Sequence, residues 1–161
     1  MKLKDFFIEG RVRRYCDSCQ EPVYENPVPA TCIIVTNELD QLLLIKRNVP
    51  PKVGYWALPG GFMELGEIPD LSALRELKEE TGLTGSTPSL HGAISHHSDL
   101  YNTVLIICYV VTAFSGQLKP GDDAADARFF SKFYLPDMAF KSHMDFISSY
   151  YDKKSSFSMN E

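Results

Sequence analysis

Glu76, Glu79 and Glu80 stand at i, i+3 and i+4 in the stretch Gly61 to Leu83, GFMELGEIPDLSALRELKEETGL. On a helix these side chains share one face, within hydrogen-bonding reach of a common point. Like charges at this spacing destabilise a helix by a few tenths of a kcal/mol per pair, and a divalent cation held between them removes that penalty. The chemistry open to such a cluster is that of a hard metal ion on carboxylate oxygens. Gly60 and Gly61, just upstream, allow the backbone to approach a metal or phosphate with no Cβ in the way.

The element that positions these groups is predicted to be a helix. Pro69 suits its first turn, Asp70 complements the positive end of the dipole, and Gly82 can take the left-handed conformation that ends it. Leu71, Ala73, Leu74 and Leu77 are expected to form an apolar stripe opposite the carboxylates, pinning the helix to a core. Arg75, four residues before Glu79, is close enough to hold that carboxylate by a charge-assisted bond. A lone E-x-x-E-E is also what an ordinary solvated acidic helix looks like. The surrounding spacing argues against that reading. From Gly61 it runs G-x5-E-x7-R-E-U-x-E-E-x-G-U, with Leu77 and Leu83 as the aliphatic positions. Average residue usage gives such a match a probability below about one in 10^8 at any one start.

That pattern is the Nudix box, and the chain resembles the Nudix hydrolase family at the residues that define it. The resemblance implies an α/β fold, a mixed β-sheet sandwiched between α-helices, and metal-dependent hydrolysis of a nucleoside diphosphate linked to a further group. Carried over by position, Glu76, Glu79 and Glu80 would bind Mg2+ or Mn2+, joined by the backbone carbonyl of Gly60. Glu67 and Arg75 would brace the loop against the helix, and Gly61 would adjoin substrate. Attack of water on a phosphorus needs a carboxylate to accept a proton. Glu79, Glu80 and Asp123 are the candidates.

Residues 1–29 form a leader of different character, with Arg11, Arg13 and Arg14 running into a C-x2-C knuckle at Cys16 and Cys19. It resembles the second half of the zinc ribbon that precedes the Nudix domain in NADH pyrophosphatases and in relatives acting on ADP-ribose or FAD. A structural zinc site takes four ligands, and two rarely hold the metal, so this chain by itself is expected to lack zinc. Cys32, in an apolar run, reads as a small buried residue. The three arginines read as an exposed strand, with phosphate contact as the alternative.

Thr31 to Thr36 and Leu42 to Lys46 are predicted strands joined by a polar turn, a plausible hairpin. Arg47 opens the loop KRNVPP, whose prolines forbid regular structure. Family resemblance puts Arg47 near substrate phosphates, and simple solvation explains it equally well. Leu90 to Ser98 has weak strand character, and Thr103 to Ala113 reads as a strand buried on both faces. His96 and His97 point to opposite faces there, so they do not share one metal, and one of them can meet substrate. Asp122, Asp123 and Asp126 lie in a polar turn before a short strand at Arg128 to Phe130. Asp123 occupies the place of a further metal-site acid in the pyrophosphatase relatives, usually a glutamate. A solvated turn is the alternative. A last helix is expected from Lys141 to Tyr151, with Met144, Ile147 and Tyr151 on its inner face, followed by a polar, loose tail over 153–161.

The 161 residues are 44% hydrophobic and 12% aromatic, a composition that suits one globular domain, placed at 30–152, with a sizeable core. A net charge of −5 argues against a general nucleic-acid surface, though a bound cation can still admit an anionic nucleotide. Four cysteines do not make a disulfide framework, no export signal is visible, and no apolar run approaches the roughly 20 residues of a membrane span. A cytoplasmic protein, possible as a homodimer and binding a small nucleotide, is the expectation.

The substrate expected is ADP-ribose, FAD or NADH, cleaved to a nucleoside monophosphate. A house-cleaning nucleoside triphosphate pyrophosphohydrolase is the alternative within the enzyme class, and a ligand-sensing Nudix protein without turnover is the alternative outside it.

Overall fold

The computed structural model describes residues 3–158. The leader folds as its own antiparallel sheet of β1 (Leu3–Ile8), β2 (Arg11–Cys16) and β3 (Glu21–Val23), in the order β1-β2-β3. The arginines of β2 are paired across the strands, Arg13 opposite Phe6 and Arg14 opposite Asp5.

Two further sheets form the middle layer of the domain. β4 (Val28–Val35), β5 (Leu42–Arg47), β6 (Trp56–Ala57) and β7 (Gly60–Phe62) precede α1 (Pro69–Thr81). After it come β8 (Thr84–Ser86), β9 (Ser89–Ser98), β10 (Asn102–Val111), β11 (Ala113–Ser115), β12 (Ala124–Phe130) and α2 (Lys141–Ser158). One sheet has the order β7-β4-β10-β9 and another β12-β5-β6, while β11 and β8 make a short ribbon. β10 runs parallel to β4 and antiparallel to β9, so the sheet is mixed, as the resemblance implied.

The apolar runs of β4 and β5 are continuous because each is covered on both faces. Cys32 and Ile34 of β4, with Leu42 and Leu44 of β5, join Phe146, Ile147 and Tyr151 of α2 in one core. Ile33 and Val35, with Leu43, join Ala73 and Leu77 of α1 in a second core on the other side. In β10, by contrast, Val104, Ile106 and Cys108 are buried while Leu105, Ile107 and Tyr109 are only half-covered, so its two faces are unequal.

The expected hairpin of β4 and β5 does not form. Only Thr36 and Leu42 bridge, and the strands then diverge into different sheets. Both hydrogen-bonding edges of β4 are already taken, by β10 on one side and by β7 on the other, with Ile33 N–H donating to Pro59 O at 2.9 Å. β5 therefore pairs with β12 and β6 instead.

The last helix also departs from expectation. It continues through Ser158, where a loose tail was predicted from 153. Lys153 Nζ donates to His91 O at 3.3 Å and Lys154 Nζ pairs with Asp40, tying the final turns to the body of the domain. Its inner face is made by His143, Phe146, Ile147 and Tyr151, and Met144 lies at the edge of that arc, 39% exposed.

His143 is the one buried imidazole. Its Nδ1 accepts the Leu58 N–H at 3.1 Å, which ties α2 to the segment entering β7. Burial, followed by the charges of Arg47 and His96, pushes its pKa down to about 3. Below pH 6.5 the unfolded imidazole takes a proton that the folded one refuses, so stability falls as pH drops toward 3, by about 2 kcal/mol between pH 7 and 5. His143→Asn retains an acceptor for Leu58 and does not titrate. Denaturant melts at pH 7 and pH 5 should show an acid loss smaller by about that amount in the variant, and identical losses in both proteins would refute the assignment.

Candidate functional site

α1 starts with Pro69 and ends at Gly82, whose φ of 73° is left-handed and whose N–H donates to Lys78 O, as its sequence signals require. Its buried arc differs from the expected stripe. Ser72, Ala73, Glu76, Leu77, Glu80 and Thr81 are buried, whereas Leu71 is 54% exposed. At 3.6 residues per turn Leu71 projects about 200° away from Ala73, on the far side of the helix. Glu76 and Glu80 therefore lie within the packing face, and only Glu79 stands outside it.

What admits two carboxylates to that face is the β7 backbone. Gly60 N–H donates to Glu80 Oε2 at 2.8 Å. A Cβ on Gly60, at φ 152°, would stand 2.2 Å from Thr31 O, and one on Gly61 would stand 2.6 Å from Glu76 Oε1. The glycines thus make room for a neighbouring strand and a carboxylate.

Arg75 gathers the remaining groups. Its guanidinium donates to both oxygens of Glu67 at 2.7 and 3.1 Å, to Glu76 Oε1 and Glu79 Oε2 at 2.8 Å each, and to Phe62 O at 3.2 Å. Glu67 in turn accepts the Glu64 N–H at 2.9 Å, closing the loop on itself. The Arg75 bonds hold the Glu67 carboxyl down to about 2. Burial raises Glu76, with the charges of Glu79 and Asp122 adding to it, and burial pushes Glu80 up to about 8, against the Gly60 hydrogen bond.

Asp123 is exposed on the loop after β11, and its charge acts on Glu80 together with that of Arg47. The loop is held in place by Lys119 N–H on Thr81 O and Gly121 N–H on Glu80 O, at 2.8 and 3.1 Å. Asp122, which the sequence left as part of a turn, is exposed, and its charge adds to the upward shift of Glu76. Arg47 is not simply solvated. Its Nε donates to Pro51 O at 2.8 Å and its Nη2 to Val49 O and Pro50 O at 3.3 Å, and its guanidinium lies 5.1 Å from the centre of the Phe140 ring. It organises the proline loop while keeping its charge near Glu80 and Asp123.

His96 and His97 separate as the strand period requires. His96, paired with the buried Val104, turns its Nδ1 into the protein, and among the described residues that atom has no hydrogen-bond partner. His97 is exposed and lies 3.6 Å from Asp99. Cys16 and Cys19 bring their sulfurs within 2.8 Å of each other in the leader. A recess of about 1080 Å³ near Leu39, Leu90 and Lys153 carries none of the candidate residues.

A family model for the NUDIX domain matches residues 26–148. The chain belongs to the Nudix family. This Nudix chain is 40% identical over 129 residues to the ADP-ribose pyrophosphatase of Methanocaldococcus jannaschii, covering 80% of the chain and 75% of that protein. It is 29% identical over 131 residues to the NAD-capped RNA hydrolase NudC of Vibrio atlanticus, covering 81% of the chain and 47% of the relative, about half its length. Among solved structures, a Nudix hydrolase from Nitrosomonas europaea superposes with a TM-score of 0.73 at 24% identity, over 96% of this chain and 88% of that one. Nudix hydrolases act on pyrophosphate bonds and generally use divalent metals such as Mg2+ or Mn2+.

The donors of this Nudix site suit such an ion in kind: they are carboxylate oxygens of Glu76, Glu79 and Glu80, and Glu76 and Glu80 are raised in pKa by burial first and by neighbouring negative charge second, a cost that a hard cation would relieve. Among the described residues no three metal-binding side chains already converge on one point, because Arg75 and the Gly60 N–H engage these oxygens. No helix among them is long and apolar enough to cross a membrane.

The two glycines should fail differently. Gly60→Ala drives a methyl into β4 backbone and should lower stability by about 2 kcal/mol or more. Gly61→Ala meets only the end of the Glu76 side chain and should fold with near-normal melting but lose activity at least about tenfold, since misplacing a catalytic group costs that order. Thermal melts and turnover on the two variants check this, and equal loss of stability in both would contradict it.

Proposed function

We propose that this Nudix protein hydrolyses the pyrophosphate of ADP-ribose or a related nucleoside diphosphate derivative such as FAD or NADH, releasing a nucleoside monophosphate. The observation that carries the reading is the intact, closely packed box together with 40% identity to an ADP-ribose pyrophosphatase across most of both chains.

In the proposed reaction Glu76, Glu79 and Glu80, with the Gly60 carbonyl, would hold Mg2+ or Mn2+. Such an ion, when bound, neutralises phosphoryl charge and lowers the pKa of coordinated water. Glu67 fixes Arg75, and Arg75 holds Glu76 and Glu79 on α1, so an incoming ion would take over oxygens that Arg75 and the Gly60 N–H now engage. Arg47, held by the proline loop, keeps its charge near Glu80 and Asp123, where it would attract the phosphates. Water attacks one phosphorus, a new P–O bond forms, the bridging P–O bond breaks, and the water proton passes to a carboxylate. Glu79, Glu80 and Asp123 are the candidates to take it, and Glu79 and Asp123 are the two of them open to solvent. The nucleoside monophosphate and the sugar phosphate leave.

Glu80→Gln keeps the acceptor for Gly60 N–H and removes a charge. Loss of one such electrostatic contact costs about 3 kcal/mol, roughly a hundredfold in rate. Turnover of ADP-ribose, FAD and NADH with Mg2+ or Mn2+ in 18O-labelled water, read by mass spectrometry, should show AMP among the products and this loss in the variant. Undiminished Glu80→Gln activity removes the catalytic assignment. Turnover of nucleoside triphosphates alone, with release of inorganic pyrophosphate, replaces the substrate reading with the house-cleaning one.

A further inference from the structure

The four cysteines fall into two pairs with opposite surroundings. Cys32 and Cys108 face each other across β4 and β10 and are 1% and 0% exposed. Burial pushes the Cys32 thiol up, and that pair packs as small apolar groups. Cys16 and Cys19 sit where β2 turns into β3, and Cys19 carries the one exposed thiol among the described residues. The turn closes where Gln20 N–H donates to Cys16 O at 2.8 Å, with Gln20 at a left-handed φ of 58°. This folds Cys19 back onto Cys16, and the Cys19 thiol donates to the Cys16 sulfur at 2.8 Å.

Cys16 is the inner member of the pair. It is 1% exposed and stands between Leu3 of β1 and Glu21 of β3 in the leader sheet. The ion pair of Lys4 with Asp17 fastens the start of the turn to β1. The Cys19 side chain first, and then the Cys19 backbone N–H, lower the Cys16 thiol, so negative charge gathers on the inner sulfur. The thiolate is the nucleophilic form of cysteine, and C-x2-C motifs stabilise it in this way. An electrophilic sulfur arriving from solvent therefore meets Cys19, with Cys16 directly behind it. A metal is the other partner such sulfurs take, yet among the described residues no group of three or more His, Cys, Asp or Glu side chains comes together to hold one.

We propose that Cys16 and Cys19 form a dithiol site that exchanges with small disulfides such as oxidised glutathione, with Cys19 taking the first bond and Cys16 resolving it. Cys19, having lost its proton to solvent, attacks one sulfur of the small disulfide. That S–S bond breaks, a mixed disulfide forms on Cys19, and one small thiolate leaves. The Cys16 thiolate then attacks Cys19 Sγ, forms the Cys16–Cys19 bond and expels the second small thiolate. Each leaving thiolate takes up a proton, so two protein S–H bonds and one small S–S bond become one protein S–S bond and two small thiols. The pair is oxidised by two electrons and the small disulfide is reduced by two. Because the sulfurs already touch, the bond closes within the turn and leaves β2 paired with β3. The site lies in the leader and is independent of the hydrolase reading.

The test treats the whole chain, reduced and with no metal added, with oxidised glutathione, quenches it with an alkylating reagent in denaturant, and reads intact and peptide masses. The wild type should lose two hydrogens and two of its four alkylatable thiols, with the new bond in the peptide holding Cys16 and Cys19 and no glutathione retained. Cys16→Ser should keep one glutathione on Cys19, since nothing resolves the mixed disulfide. Cys19→Ser should gain neither bond nor adduct, because Cys16 is buried. Dithiothreitol should return the wild type to four thiols. Four free thiols in the treated wild type, glutathione retained there as in Cys16→Ser, a bond that reaches Cys32, Cys108 or a second chain, or a bound zinc that blocks the reaction overturns the proposal. Turnover plays no part in the readout, so such a result leaves the hydrolase reading as it stands.

Discussion

The packing of a carboxylate-bearing helix face against a two-glycine strand is the constraint on which the rest of this structure depends. Glu76 and Glu80 are buried in contact with β7, and burial alone makes an ionised carboxylate costly. The structure meets that cost locally, through the Gly60 N–H on Glu80 and the Arg75 guanidinium on Glu76 and Glu79. The Gly60 contact is lost if the strand stands a methyl group further away, whereas the Arg75 pairs are internal to α1. The same closeness draws in Thr31 of β4, whose hydroxyl lies 3.1 Å from that of Ser72 on α1.

The remaining architecture serves to hold that strand. β7, the edge strand that carries the glycines, pairs with β4, and β4 is held on its other side by β10, so the glycines are anchored to an inner strand. From the opposite side α2 reaches the same segment through His143 and the Leu58 N–H. The loop after β11 closes over the C-terminal end of α1 and brings Asp122 and Asp123 toward the acids. Three chain segments, distant in sequence, therefore fix one short backbone stretch.

Subgroup and chemistry are carried by different parts of the chain. The box supplies the acids and Arg75, which members of the family share by definition of the pattern. The Arg47 to Pro51 loop, outside the box, brings a further charge near those acids. A rigid acid cluster with variable walls is an economical way to keep one reaction while changing its substrate.

The amino-acid sequence by itself determined α1, its ends and its acids, because helix caps, a 3.6-residue period and the box spacing are local properties. It also made the mixed α/β class and the pairing of Arg75 with Glu79 legible. Which arc of α1 is buried was readable in principle from the period, since Leu71 lies opposite Ala73, yet the presence of Glu76 and Glu80 on the buried arc contradicts ordinary hydrophobic patterning. Only the tertiary structure decided that, because the Gly60 N–H that compensates Glu80 is supplied after the strand has docked. It also decided that β4 and β5 part instead of forming a hairpin, since strand pairing depends on which edges other strands have already taken. The roles of Arg47, Asp122, His96 and His143 were undecided in the sequence for the same reason: a single polar residue in a loop or on an apolar face has no periodic signature, and its function is set by neighbours that only the fold brings to it.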